Sequence, residues 1–297
     1  MMTRFKAHGT FYIRRGWLPK GMRQVSLDST VFSKDKGLKV FGLGSNQVPA
    51  LRYWLQSSGL IEQEGRNGFA LSRLGKIIQE HDPYLEEIGT LAFIHYKIAS
   101  GEALDNSFAT SWYYLFNEFT MQEFTQEDFV QSLVSTLKYR NIKLPAEGSI
   151  ASDFDCIKNT YSNDKKDKVD FEDNKECPLI ELGLLQLIDP KKKTYKKSQI
   201  RNSIPLFILL AVIAAENKGE SEIKIQNLLT KPNSIGMIFN LDSISLADYL
   251  DKMHERGYLQ VIRTAGLDIV KFEDMRTCEE YLLEYYNELS IREGGAR

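Results

Sequence analysis

Cysteine is scarce. Only Cys156, Cys177 and Cys278 occur in 297 residues; odd in number and far apart, they exclude a disulfide framework and a CxxC metal pair, and they point to a reducing compartment. Histidine is almost as rare: His8, His81, His95 and His254 lie far apart, with no HExxH spacing, so no metal site is expected. No apolar run is long. The longest, Ile204 to Ala215, is broken only by Pro205 and falls short of the ~20 residues a membrane span needs, so it reads as a buried helix. No apolar core followed by small residues opens the chain, so no secretory leader is expected and the cytoplasm is the expected location. Charge of one sign is lacking too. Thirty-eight Lys and Arg against 40 Asp and Glu leave a net charge of -2, so no global field draws the chain to nucleic acid or an anionic membrane, and any basic surface must be local. Nor is there a P-loop or a GxSxG elbow, and Gly42-Leu43-Gly44-Ser45 lacks the Lys-Ser/Thr of a nucleotide cradle. The carboxylates are spread over helix surfaces without a paired set. No catalytic residue and no cofactor are therefore expected, and the protein is read as not being an enzyme.

What is present is enough for two ordinary domains, since single cores stop growing near this length. The clearest boundary is 163–176, where ten of fourteen residues are charged with both signs mixed and little can be buried. The expected division is 1–162, a charged linker 163–176, and 177–297. A second polar run, KKKTYKK at 191–197, reads as a basic loop or hairpin tip, most simply a solvated one.

In the first half the spacing predicts a short helix over Lys36 to Phe41, a break at Gly42 to Gly44, and a second helix over Asn46 to Ser58 opened by Ser45. Val48, Leu51 and Leu55 recur at three and four residues and would face a core. Gly59 ends the helix; Leu60 to Glu64 and Phe69 to Leu71 read as a hairpin turning at Arg66-Asn67-Gly68, and Ser72 caps a helix carrying Leu74, Ile77 and Ile78. Helix, glycine turn, helix, hairpin is the order of a winged helix-turn-helix module. Helical spacing continues over 85–99, 111–119, 127–140 and 153–161, with Thr125 and Asp128 forming a capping box. The expected fold is mainly α with small β-hairpin wings: winged helix-turn-helix modules plus a helical extension.

The first thirty residues carry Arg4, Lys6, Arg14, Arg15, Lys20 and Arg23 with Asp28 as the sole acid, interleaved with Phe5, Phe11, Tyr12 and Trp17. Cations among aromatics suit phosphates and bases. Equally, the aromatics could anchor the segment while the cations stay solvated. His8 is the one histidine worth testing for function, whereas His95 shares a helix face with Ile88, Leu91 and Ala99 and reads as core. Trp112, Phe116 and Phe119 fit one helix face, which favours packing over base stacking.

The second half repeats the theme: helices over 223–229 and 234–239, a longer one from Ser243 to Arg256, strands over 258–262 and 267–272 around a turn at 264–266, and a closing helix over 277–289. This too could be a winged helix. Its third helix carries Asp248, Asp251 and Glu255, which repel a phosphate backbone bearing one charge per ~1.7 Å, so protein binding or simple packing is expected of it.

The segment HGTFYIRRGWLPKG from His8 to Gly21, followed by Val31-Phe32-Ser33, by LRYWL at 51–55, by CPLIELG at 177–183 and by TAGL at 264–267, resembles the bacterial domain-of-unknown-function family 4007 over the whole chain. The resemblance implies a genomic setting beside sulfurtransferase-like, reductase-like and cysteine-desulfurase genes in DNA phosphorothioation or phage-defence clusters. It brings no catalytic residue.

The function expected is a non-catalytic, DNA-binding accessory or regulatory protein of such a system. Asn46, Gln47, Arg52 and Gln56 would face base edges; Arg66 in the wing and Arg14, Arg15, Lys20 and Arg23 would meet phosphates. The partners are then double-stranded DNA and sulfurtransferase- or reductase-like modification proteins, with no membrane. The alternative is a protein-interaction adaptor that docks modification enzymes without touching DNA. A third reading is an enzyme built from unfamiliar residues.

Overall fold

A computed structural model describes residues 3–33, 36–162, 176–200, 203–217, 219–264 and 266–294. The expected linker, Glu176 apart, lies outside them. The chain divides into two units, Met1–Arg201 and Asn202–Arg297.

The first unit opens with a helix that the sequence pattern does not announce, α1 (Trp17–Leu27). Pro19 and two glycines disguise it. Pro19 stands in the first turn, where a missing N–H costs no helical bond, and Gly16 before it adopts φ 81°. Trp17, Leu18, Gly21, Met22 and Val25 face inward. A Cβ on Gly21 would lie 2.5 Å from Leu55 Cδ1, so glycine here sets how closely α1 approaches the next long helix. Helices α2 (Lys36–Phe41) and α3 (Gln47–Ser57) follow where expected. Strands β1 (Ile61–Glu64) and β2 (Gly68–Leu71) pair from Ile61↔Leu71 to Glu64↔Gly68. The turn is Gly65 to Asn67, with Gly65 at φ 62°, not Arg66 to Gly68, because Gly68 is already in the ladder. Ser72 caps α4 (Arg73–His81), its Oγ accepting from the Gly75 N–H at 2.9 Å and donating to the Gly59 carbonyl at 2.6 Å.

Then come α5 (Ile88–Ala99), α6 (Thr110–Asn117), β3 (Glu123–Phe124), α7 (Gln126–Tyr139), α8 (Ser149–Tyr161), a 3-10 turn at Pro178–Leu182, β4 (Leu185–Asp189) and β5 (Thr194–Lys197). Helix α5 begins later than its apolar pattern suggests: Asp82 accepts the N–H groups of Glu86 and Glu87 and holds that stretch in a loop. Ten of the twelve residues of α5 and all eight of α6 are buried, around a core of Trp112, Phe116, Phe119, Phe124, Phe129 and Phe154. The KKKTYKK run is the turn and second strand of the β4–β5 hairpin, and β5 also pairs with β3, giving the order β3-β5-β4. Residues 177–201 therefore group with the first unit, which moves the expected boundary at 163–176 to a point between Arg201 and Asn202.

The second unit contains α9 (Leu206–Glu216), β6 (Glu222–Lys224), α10 (Ile225–Thr230), α11 (Ile235–Ile238), α12 (Ser243–Glu255), β7 (Gln260–Thr264), β8 (Leu267–Lys271) and α13 (Cys278–Gly294). Helix α13 lies along the apolar α9 and buries Tyr281, Leu282, Tyr285 and Tyr286. The helix expected from Ile223 begins only at Ile225, because Glu222 to Lys224 pairs with β8, giving the order β6-β8-β7. Hydrogen bonding to a sheet edge overrides a weak helical pattern there. The fold of the described residues is thus a mixed one, with helix predominant and three small antiparallel sheets, two of them three-stranded where a loop or hairpin tip and an isolated hairpin were expected.

Candidate nucleic-acid interface

Helix α3 is held on one side and open on the other. Val48, Ala50, Leu51, Tyr53, Trp54, Leu55 and Ser57 are buried, and the Trp54 indole N–H donates to the Phe11 carbonyl at 2.8 Å. Asn46, Pro49 and Arg52 are exposed, while Gln47 and Gln56 are half-buried. At spacings of three and four, Asn46, Pro49, Arg52 and Gln56 make a narrow polar stripe along one edge. Asn46 sits at the cap position without a side-chain capping bond, so its amide is presented outward. Gln47 is committed at one end, its Oε1 accepting from the Gly44 N–H at 3.0 Å. The Arg52 guanidinium lies 5.9 Å from the centre of the Phe69 ring on β2, a cation–π distance that ties the stripe to the hairpin. At the hairpin tip Arg66 is exposed; its carbonyl accepts from Gln63 Nε2, and among the described residues its guanidinium has no ion pair. Glu62 and Glu64 are exposed on β1 as well, so the hairpin's own charge is mixed.

The basic segment is less free than its sequence suggests. Arg14 is half-buried over Trp17 (5.4 Å) and Phe11 (5.9 Å), with Nε buried and without a hydrogen-bond partner among the described residues. Arg15 is paired with Glu181 at 3.0 Å, both side chains about 49% exposed. Lys20 Nζ donates to the Phe41 carbonyl at 2.7 Å, a cation at the C-terminal end of α2. Arg23 is exposed and makes no ion pair with a described residue. The aromatics do anchor: Trp17 is buried, Phe11 and Tyr12 half-buried. The nine candidate contacts therefore sort into Asn46, Arg52, Gln56, Arg23 and Arg66, which are presented, and Gln47, Arg14, Arg15 and Lys20, which are engaged within the chain. Further exposed cations that the sequence pattern does not single out are Lys39 on α2 and Arg73 and Lys76 on α4. Only the helix assignment, by showing which face is left over, could have found them.

His8 is not at the surface. It is 1% exposed, stacked on Trp54 with centroids 5.6 Å apart, and its Nε2 lies 2.9 Å from Asp153 Oδ1. Asp153 also accepts from the Lys6 N–H (2.8 Å) and the Ser111 hydroxyl (2.6 Å). Burial, and then the Asp153 charge, raise the neighbouring Tyr53 phenol well above its ordinary value. The cluster clasps the chain's beginning to α6 and α8 and is closed to solvent. His95 is likewise core, bonded to the Tyr161 hydroxyl at 2.8 Å, and Trp112, Phe116 and Phe119 are packed, not displayed.

In the second unit, α12 turns Ile244, Asp248 and Glu255 outward, and Asp251 is paired with Arg263 of β7 at 3.1 Å. Lys252 is exposed on the same helix, four residues after Asp248, so the charge of that face is mixed with a slight acidic excess. Among the described residues no three His, Cys, Asp or Glu side chains gather as a metal site, and no helix is long and apolar enough to cross a membrane.

Three comparisons bear on these features. The pattern of the family described as "Protein of unknown function (DUF4007)" matches residues 5–286. No curated protein matches. Two solved structures are similar over 96% of this chain and 89% of theirs: "SspB crystal structure", at TM-score 0.84 and 27% identity, and "Magnesium ion-bound SspB crystal structure", at 0.83 and 26%.

Proposed function

The chain belongs to the DUF4007 family, and on that premise we propose that it is a non-catalytic, DNA-binding accessory or regulatory protein of a bacterial phosphorothioation-type DNA-modification system or of a phage-defence system. The biological setting comes from the family resemblance, and the near full-length likeness to SspB supports it. The observation that carries the DNA-binding part is the stripe on α3 beside the hairpin. A helix that buries one side and leaves Asn, Arg and Gln on the other, next to a β-hairpin with a cationic tip, suits a winged helix whose α3 enters the major groove. Arg52 then reads guanine, and Asn46 or Gln56 reads adenine. Arg66 and Arg23 meet phosphates, and Arg15 joins them by exchanging Glu181 for a phosphate oxygen, because an exposed pair is worth only about 0–1 kcal/mol. Arg14 and Lys20 position α1 in this reading. The magnesium named with one SspB structure finds no three-ligand cluster among the described residues, and no step is derived through it.

Titration of a labelled duplex between about 50 and 200 mM salt tests the reading, since phosphate contacts make affinity fall steeply over that range. Arg52→Glu with Arg66→Glu should weaken binding by at least about tenfold, each contact being worth about 1–3 kcal/mol. Equal affinity of this variant and the unmodified chain sinks the groove model. The rival reading, an adaptor that docks sulfurtransferase- or reductase-like enzymes, is favoured by the face of α12 in the second unit, where exposed Ile244 stands beside Asp248 and Glu255. A modification protein retained after nuclease treatment, with no shift of free duplex, selects it.

A further inference from the structure

We infer that the β4–β5 hairpin is a second DNA-backbone contact, separate from the α3 stripe and the β1–β2 tip; the inference rests on the DNA-binding reading above. Its turn is built to project charge. Asp189-Pro190-Lys191-Lys192 opens the turn with the Asp-Pro order that turns favour, and Asp189 Oδ1 accepts the N–H groups of Lys191 (2.9 Å) and Lys192 (3.1 Å). The only acid in the turn is thereby occupied by the backbone. Lys191, Lys192 and Lys193 are all exposed, and none makes an ion pair with a described residue. Other first-unit cations are drawn to carboxylates, Arg15 to Glu181 and Arg140 to Glu118 among them; what distinguishes this turn is three lysines in succession, unpaired among the described residues. Lys193 stands at φ 53°, a conformation that glycine or asparagine would adopt at less cost. A fourth lysine, Lys196, is exposed on β5 and only loosely paired with Glu123 at 3.7 Å.

The base of the hairpin is fixed. Tyr195 is buried against Phe154, with ring centroids 5.5 Å apart, and Lys197 Nζ donates to the Phe119 carbonyl at 2.5 Å. Neighbouring β3 holds the other edge of β5. A rigid stalk thus holds three adjacent ammonium groups in solvent. Ammonium groups are point charges without the fork geometry that reads a base edge, and the Tyr195 ring is turned into the core, so the contact is to phosphates and indifferent to sequence.

The test compares the full-length chain with the Lys191→Gln/Lys192→Gln/Lys193→Gln variant on specific and random duplexes, with Lys138→Gln/Lys143→Gln as a control and circular dichroism to verify folding. The slope of log affinity against log salt should become shallower by about 0.9 for each phosphate that the variant leaves unneutralised, with affinity down about tenfold at about 0.1 M salt on both duplexes alike. The control pair should leave both readouts unchanged. If the unmodified chain binds duplex and the triple variant keeps its slope, the hairpin inference is overturned while the α3 reading stands. If the unmodified chain binds no duplex, both fall together.

Discussion

Asp153 holds three donors at once, from Lys6, His8 and Ser111, at a position 2% exposed. A buried carboxylate satisfied this way stabilises, whereas removing it strands its partners without water. Asp153→Ala should lower unfolding free energy by at least about 1–3 kcal/mol, the cost of stranding a buried donor, as measured by urea denaturation; a loss under about 1 kcal/mol would mean that the donors find other acceptors. Gly21 is the opposite case, a site whose importance lies in what is missing. Gly21→Ala drives a methyl group to 2.5 Å from Leu55 Cδ1, and overpacking of that kind costs about 1–3 kcal/mol. Because α1 backs α3, this substitution should also weaken duplex binding although residue 21 touches no DNA.

Among the elements, α7 carries a complete capping box: the Thr125 hydroxyl accepts from the Asp128 N–H, and Asp128 accepts from the Thr125 N–H at 2.8 Å. These same bonds to Thr125 hold the Asp128 carboxyl below its ordinary value, so its contribution is present at neutral pH and fades as pH falls through the carboxylate range. Thr125→Ala should cost about 1 kcal/mol, read as a shift in thermal midpoint. That box was legible in the sequence, as were α2, α3, the first hairpin and the Ser72 cap, because turn and capping residues act over three or four positions. Helix α1 was not, since Pro19 and Gly21 look like breakers until the partner that requires them is known. Nor was β6, whose hydrogen bonds come from β8, about forty-five residues later. Of the interface, residue types were readable but orientation was not: nothing in Arg14 or Lys20 tells that one lies over Trp17 and the other over the end of α2.

For the molecule as a whole, the scattered acids and bases leave pH dependence to a few buried groups. Burial pushes the Cys177 thiol up from 9.0 to about 12 and holds Cys156, Tyr53 and Tyr161 well above their ordinary values. Folded, these groups keep protons that the unfolded chain gives up, so stability present below about pH 9 is lost as pH climbs toward about 12. Lys197 works the other way, its ammonium lowered by burial from 10.5 to about 8, which adds stability across that interval. Urea midpoints measured from pH 8 to 11 should therefore decline above about 9, less steeply for Cys177→Ala and more steeply for Lys197→Met; parallel curves for all three proteins would refute the assignment. The clasp at Asp153 and the pairing of β3 with β5 also impose an order of events on synthesis. His8 waits for a carboxylate 145 residues downstream, and Glu123 for Lys196. At about 5–20 residues per second a ribosome takes on the order of seven to thirty seconds to cover the 145 residues between His8 and Asp153. Until then neither the His8–Asp153 contact nor the β3–β5 pairing can form, although α1 and α3, which lie close together in sequence, can already pack.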